Sequence, residues 1–296
     1  MKRFLALAVA VASIGFLTAG TASAVDTYVA GDAAAGIAAG RHNLGGFSMH
    51  IGAVGTTEVC VFCHTPHHTN TANNLKPMWN RGTSAPTSFT AYGTTIAGST
   101  ISGSDIGSTS LACLSCHDGV TTFDNLVNAP GKAGVTNNGS DRGYTFYDFG
   151  SVVSDFMTSS RLNLGLNLSN DHPVSVTYLA GTAAGLRATN TTISSIDLTS
   201  EMNTSAATYD NGNLTKNLWA VKGFVSDTAT IADLLRSSKV ECSSCHDPHF
   251  NNKSWQEVDS TYSNVTADQE GESNGLFIRR VGGNTGSGVC RTCHEK

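Results

Sequence analysis

Few stretches of this chain show a regular hydrophobic period. The longest apolar run opens it. Met1, Lys2 and Arg3 lead into the stretch from Phe4 to Leu17, and Ala22-Ser23-Ala24 follows. A basic start, a short apolar core and a small-residue exit predict a secretory signal peptide over residues 1–24. The run is too short for a membrane helix. Farther on, Ile231, Leu234 and Leu235 share one helical face, which predicts a helix over Thr230–Ser238 leading toward Cys242. Val174, Val176 and Tyr178 alternate and predict one short strand. Residues 83–110 and 181–215 carry almost no charge and are rich in Gly, Ser, Thr and Asn, so they predict loop and turn. No later run is long enough to cross a bilayer, and no cysteine precedes Cys60 to carry a lipid. An exported chain without a membrane anchor is expected.

Composition explains why so little periodicity is seen. Apolar residues make up 40% and aromatics 7%, with 31 glycines. That is thin material for an all-protein core, so something other than side chains is expected to fill the middle. The formal charge is −5, and it becomes −7 once Lys2 and Arg3 leave with the leader. An acidic chain is a poor nucleic-acid partner.

An exported chain with eight cysteines ordinarily predicts disulfides. Here the spacing overrules that default. The cysteines fall as Cys60-Val-Phe-Cys63-His64, Cys113-Leu-Ser-Cys116-His117, Cys242-Ser-Ser-Cys245-His246 and Cys290-Arg-Thr-Cys293-His294. C-x-x-C-H is the attachment signal for c-type haem. The two thiols bond to the porphyrin and the histidine lies beneath its iron. Zinc sites or redox disulfides also use paired cysteines, but neither requires histidine after every second cysteine. Chance would place one there four times in four about once in a million. Four covalent haem c groups are therefore expected. Their eight thioether anchors are Cys60, Cys63, Cys113, Cys116, Cys242, Cys245, Cys290 and Cys293, and their proximal ligands are His64, His117, His246 and His294.

The sites form two close pairs. The first of each pair is extended, CVFCHTPH from Cys60 and CSSCHDPH from Cys242. The chain thus divides into two diverged repeats, roughly 25–150 and 151–296, within one tetrahaem domain over 25–296. Six further histidines remain for the distal positions: His42, His50, His67, His68, His172 and His249. None of Met49, Met78, Met157 and Met202 has a recognisable ligand setting, so bis-histidine iron is expected. His67 and His249 each follow a proximal histidine by three residues, across a proline. That short tether keeps each off the distal face of its own haem, so each should serve another. His172 sits on the stiff Asp171-His172-Pro173 backbone. One leading and one trailing histidine per repeat gives His42, His67, His172 and His249. His50 rivals His42, and His68 reads as a supporting or surface group.

CVFCHTPHH, MWNR, CLSCHDG, DHPVSVTY and VECSSCHDPHF resemble multihaem c-type cytochromes with doubled CxxCH motifs. They look most like the extracellular filament cytochromes of metal-reducing bacteria such as Geobacter, and the four-haem, outer-surface members in particular. The resemblance is carried by the motif segments and is weak over 120–170 and 181–230. It implies a multihaem cytochrome c fold, mostly coil with a few short helices and little strand, its core formed by stacked haems. It also implies electron transfer rather than catalysis. In such filaments an early histidine ligates the last haem of a neighbouring subunit, and His67 matches that position, with His42 or His50 as substitutes. The implied partners are the chain itself, as a head-to-tail homopolymer, other cytochromes as donors, and extracellular metal oxides or electrodes as acceptors. Secretion to the exterior or cell surface is expected, with the periplasm as the alternative. Two other readings stay open: a soluble periplasmic tetrahaem carrier or reductase subunit, and a haem enzyme such as a nitrite or hydroxylamine reductase. The enzyme reading needs an open distal site, and six spare histidines for four irons argue against it.

Overall fold

The computed structural model describes residues 37, 42–45, 51–54, 56–67, 69–70, 78–84, 88–96, 99–148, 151–159, 161–181, 185–198, 217–222, 224–249, 277–281, 283–284 and 287–295. Residues 1–24 and the histidines His50 and His68 lie outside them. Among the described residues the regular elements are short. The strands are β1 (Gly52–Ala53), β2 (Gly93–Ile96), β3 (Ser99–Ile101), β4 (Asn125–Asn128), β5 (Val135–Asp141), β6 (Phe146–Asp148), β7 (Ser151–Val153), β8 (Val176–Thr177), β9 (Trp219–Val221), β10 (Phe224–Ser226) and β11 (Lys239–Val240). The helices are α1 (Ser108–His117), α2 (Ile231–Leu234), α3 (Cys242–Cys245) and α4 (Gly288–Cys293). Strand is more frequent than the periodicity shows. All but β5 are pieces of two to four residues, too short to set up a period of two, and the seven residues of β5 are nearly all polar; every strand pair is antiparallel.

Among the described residues the apolar side chains form three small clusters. Val61, Phe62, Phe123, Leu126 and Phe146 gather beside the first motif. Leu111 and Leu114 of α1 pack with Phe89, Tyr92 and Leu168. Tyr178, Ile193, Trp219, Ile231 and Leu234 pack against Cys245 and Cys293. Each cluster therefore adjoins a CxxCH segment, as the thin apolar composition would require.

The helix expected over Thr230–Ser238 is only four residues long. Thr230 and Asp233 start it with a reciprocal capping box, the Thr230 N–H and hydroxyl both donating to Asp233 Oδ2 at 2.9 Å. Leu235 then turns extended. Ser237 and Ser238 take φ of 50° and 61°, the paired left-handed residues of a tight hairpin. Arg236 and Lys239 exchange backbone hydrogen bonds of 2.9 Å across it. The hairpin sends β11 to pair with β8. That strand, Val176–Thr177, is the middle of the alternation seen at 174–178.

The surroundings of the first and third motifs repeat in three dimensions. His64 bridges Trp79, and His246 bridges Ile278. The Asn80 N–H donates to Cys63 O and the Arg279 N–H to Cys245 O, both at 2.8 Å. Met78 and Phe277, one residue before each bridge, share left-handed φ of 46° and 54°. Two residues past each bridge stands a fully buried arginine, Arg81 or Arg280. The Arg81 guanidinium ends among carbonyls. Nε and Nη2 reach Ser115 O at 3.2 and 2.6 Å, Nη2 reaches Thr122 O at 2.6 Å, and Nη1 donates to Phe123 O. Arg280 reaches Asn217 Oδ1 at 3.0 Å and Gly283 O at 2.8 Å. Asn217 in turn holds Thr292, the residue of the fourth motif that matches Ser115 of the second.

Truncating Arg81 would strand the buried carbonyls of Ser115 and Phe123 without donors and leave Thr122 O only the Asn125 N–H. Arg81→Ala should cost about 3–5 kcal/mol, read as a lowered guanidinium midpoint with an unchanged slope. Arg81→Lys should recover little, because one ammonium cannot span the forked acceptors.

Candidate cofactor-binding array

A single helical turn builds each motif. The His64 N–H donates to Cys60 O at 2.8 Å, His246 to Cys242 O at 3.0 Å and His294 to Cys290 O at 2.9 Å. Residues three apart share a helix face, so the turn puts both thiols of a motif on one side with the histidine beyond. The second motif closes α1, and its Asp118 is buried. Asp118 Oδ1 accepts the Val120 and Thr121 N–H groups at 3.0 and 2.8 Å, which locks the turn after His117.

All eight cysteines are free thiols. Burial pushes Cys63 and Cys245 up to about 12 and Cys293 up to about 11. These thiols stay protonated at neutral pH, at the unreactive end of cysteine chemistry. Among the described residues, no group of three or more cysteine and histidine ligand atoms converges as a zinc site would need.

The motifs stand in chain order. Cys63 and Cys116 lie near one another beside Arg81. Cys245 lies near Cys293. Between the halves, Cys113 and Cys242 share a side-chain hydrogen bond that raises the first thiol and lowers the second. The halves are joined there by Glu241, which is 3% exposed. Its Oε2 accepts the Ser110 hydroxyl of α1 and, at 2.9 Å, the Ser175 hydroxyl. Ser110 Oγ also accepts the Cys242 N–H at 3.1 Å.

The histidines meet across the fold. His249 and His64 have ring centroids 6.2 Å apart with 15° between their planes. His42 and His117 are 6.3 Å apart at 85°. Either pair of rings would be near enough to hold one metal ion between them. Each joins a motif histidine to one from outside the motifs. The ring contact of His249 is with the first motif, although His249 follows the third.

Supporting groups orient the rings. His117 Nδ1 lies 2.7 Å from Leu162 O, and His249 Nδ1 lies 3.1 Å from Asp247 Oδ1. A proton held on Nδ1 leaves Nε2 free for a metal. His42 stacks on Phe277 with centroids 4.3 Å apart. Burial, then the nearby His117, pushes it down to about 4, so it stays a neutral imidazole, the ligating form. Its Nδ1 is buried without a hydrogen-bond partner.

His172 is lowered chiefly by burial, and it stands close enough to His294 for that ring also to disfavour its protonation. Tyr92 holds the His172 backbone in place, its hydroxyl donating to His172 O and accepting the Val174 N–H, both at 3.1 Å. His67 is exposed, and its carbonyl accepts the Thr65 hydroxyl at 2.9 Å. Beside the fourth motif an open cavity of about 220 Å³ is lined by Ser287, Cys290, Arg291 and His294. Of the methionines, Met78 is exposed and Met157 packs on the first apolar cluster.

Sequence reasoning missed Arg81, Arg280, Glu241 and Tyr92. Arg81 follows its motif by a much shorter loop than Arg280 follows its own, so no fixed offset marks the pair. No protein-family model matches the chain, and no curated protein matches it.

Tyr92→Phe removes both hydroxyl contacts to the His172 segment without opening a cavity. It should lower stability by about 1–2 kcal/mol, measured by guanidinium titration, with far-ultraviolet circular dichroism unchanged.

Proposed function

We propose that the chain is a tetrahaem c-type cytochrome that carries electrons one at a time along a row of haems outside the cytoplasm. The observation that carries this reading is the pairing of histidines. His64 with His249 and His117 with His42 each join a CxxCH histidine to a distant one, near enough to hold one metal ion between them. Haem supplies the one-electron iron chemistry. The chain's own residues orient the ligands, keep water from them and set their basicity. Leu162 O and Asp247 hold Nδ1 protons, and a carboxylate partner makes an imidazole the stronger donor. His172 is assigned to the fourth site beside His294, as a ligand within the same chain. His249 ties the third motif's segment to the first site, which draws the two halves into one conduction path.

In this reading the protein is secreted to the exterior or the cell surface. It takes electrons from other cytochromes and delivers them to external acceptors such as metal oxides or electrodes. The acidic surface suits basic partners and minerals. The exposed His67 is the proposed joint of a head-to-tail polymer, reaching a haem of the next subunit. A joint of that kind propagates as a filament when its rotation closes no ring.

Optical and EPR spectra of the oxidised protein should show four low-spin, six-coordinate haems. His249→Ala should turn one of them high-spin, and peptide mapping should place it at Cys60 and Cys63. A stoichiometric high-spin haem in the unaltered protein would instead favour the reductase reading.

Asp247→Asn should move one haem to a less negative potential in spectroelectrochemical titration, because an amide makes His249 the weaker donor. An unmoved set of four potentials would remove Asp247 from this role.

His67→Ala should retain export and haem loading yet lose polymerisation, scored by electron microscopy and sedimentation. Intact filaments in that variant would exclude His67 as the joint, and a monomeric unaltered protein at high concentration would leave the soluble-carrier reading.

A further inference from the structure

Asp124, Asp141 and Asp155 come from three separate segments: the turn before β4, the end of β5 and the stretch after β7. One carboxylate oxygen of each lies within 4.8 Å of those of the other two. Like charges that close repel unless something offsets them. Among the described residues none of the three makes an ion pair. Arg142, beside Asp141, is committed elsewhere. Its Nε donates to Leu126 O at 2.9 Å, its Nη2 to Val127 O at 2.6 Å, and its Nη1 to Ala133 O.

Backbone donors meet part of the demand. The Tyr144 N–H donates to Asp124 Oδ2 and the Gly143 N–H to Asp141 Oδ1, both at 2.8 Å. The other oxygen of Asp124 is the anomaly. Asp124 is 0% exposed, and its Oδ1 is buried with no hydrogen-bond partner. Burial raises the Asp124 carboxyl, an effect that nearby Asp141 adds to and the neighbouring Thr122 hydroxyl offsets in part. A buried carboxylate oxygen left in that state is costly.

We propose that Asp124, Asp141 and Asp155 bind a calcium ion, with Asp124 Oδ1 as its buried ligand. A cation with oxygen bonds of about 2.4 Å bridges carboxylates at this separation. Three acidic side chains from irregular segments suit calcium, which accepts varied geometry and six to eight oxygens. Magnesium demands a tighter octahedron of about 2.1 Å and holds on to its water. Asp155 already joins the turn, because its carbonyl accepts the Phe123 N–H at 2.5 Å. The ion would fasten the segment after the second motif to the β4–β5 hairpin. Leu126 of that hairpin bridges Arg81, so the ion would also brace the first motif. The proposal does not depend on the haem reading.

The test uses the secreted chain as isolated, freed of divalent ions with EGTA and dialysed. Calorimetric titration with calcium chloride should find one site per chain. The melting temperature should rise by about 5 °C or more at a hundredfold excess over Kd. Asp141→Asn, at an exposed position that leaves the apolar clusters untouched, should weaken binding at least tenfold and abolish the rise. No heat and no shift in the unaltered chain would overturn the proposal and leave a proton shared by Asp124 and Asp141 as the occupant. An undiminished response in Asp141→Asn would overturn it equally. An equal response to magnesium chloride would overturn the choice of calcium.

Discussion

A buried guanidinium holds the first half of the molecule together. Among the described residues Arg81 has no carboxylate to answer it; its charge is spread over the carbonyls of Ser115, Thr122 and Phe123. Those carbonyls belong to the second motif and the turn that follows it, while Arg81 sits on the strand bridged to the first. A full charge away from water survives only when its donors are satisfied. That requirement fixes the distance between two CxxCH motifs more firmly than the few apolar residues around them could. Arg280 binds the third and fourth motifs in the same manner, working through Asn217 and Thr292. Glu241 then fastens one half to the other. Three buried ionisable side chains thus do the work that a continuous apolar core does elsewhere.

Much of the candidate site was legible in the sequence, because CxxCH is a local pattern and the helical turn it builds is local too. The geometry of CHDPH was legible in part. A three-residue tether argued that His249 would turn away from its own motif, and its ring lies against His64. Which distant motif it would meet was beyond any local rule, since that depends on how the halves dock through Ser110, Ser175 and Glu241. His42 and His172 could be chosen as the leading histidines, but not that His42 would lie against His117 or that His172 would come near His294.

The fold was less legible, and the reasons are physical. Strands of two to four residues leave no period to read, and the longer β5 is nearly all polar. The helix expected at 230–238 ends at Leu234, where Leu235 turns extended ahead of a hairpin whose Ser237 and Ser238 adopt left-handed conformations that residue type alone does not favour. Gly139 shows the opposite case. It has φ of 77°, and a side chain there would collide with Gly82 and with Asn125 Oδ1. Only the packed structure shows that this glycine is compulsory, among 31 in the chain.

The contact between Cys113 and Cys242 constrains how the protein is made. Their sulfurs meet across the junction of the halves, and a shared proton leaves one of them closer to thiolate than its neighbour. A thiolate beside a thiol is the starting point for oxidation to a disulfide. A chain that folded before its cysteines were derivatised would carry the partners of a wrong cross-link at its centre. If haem attaches to these cysteines as proposed, closure of the junction and exposure to oxidant would have to be ordered in time, with the thiols reduced until the haem is bound and the halves docking only afterwards.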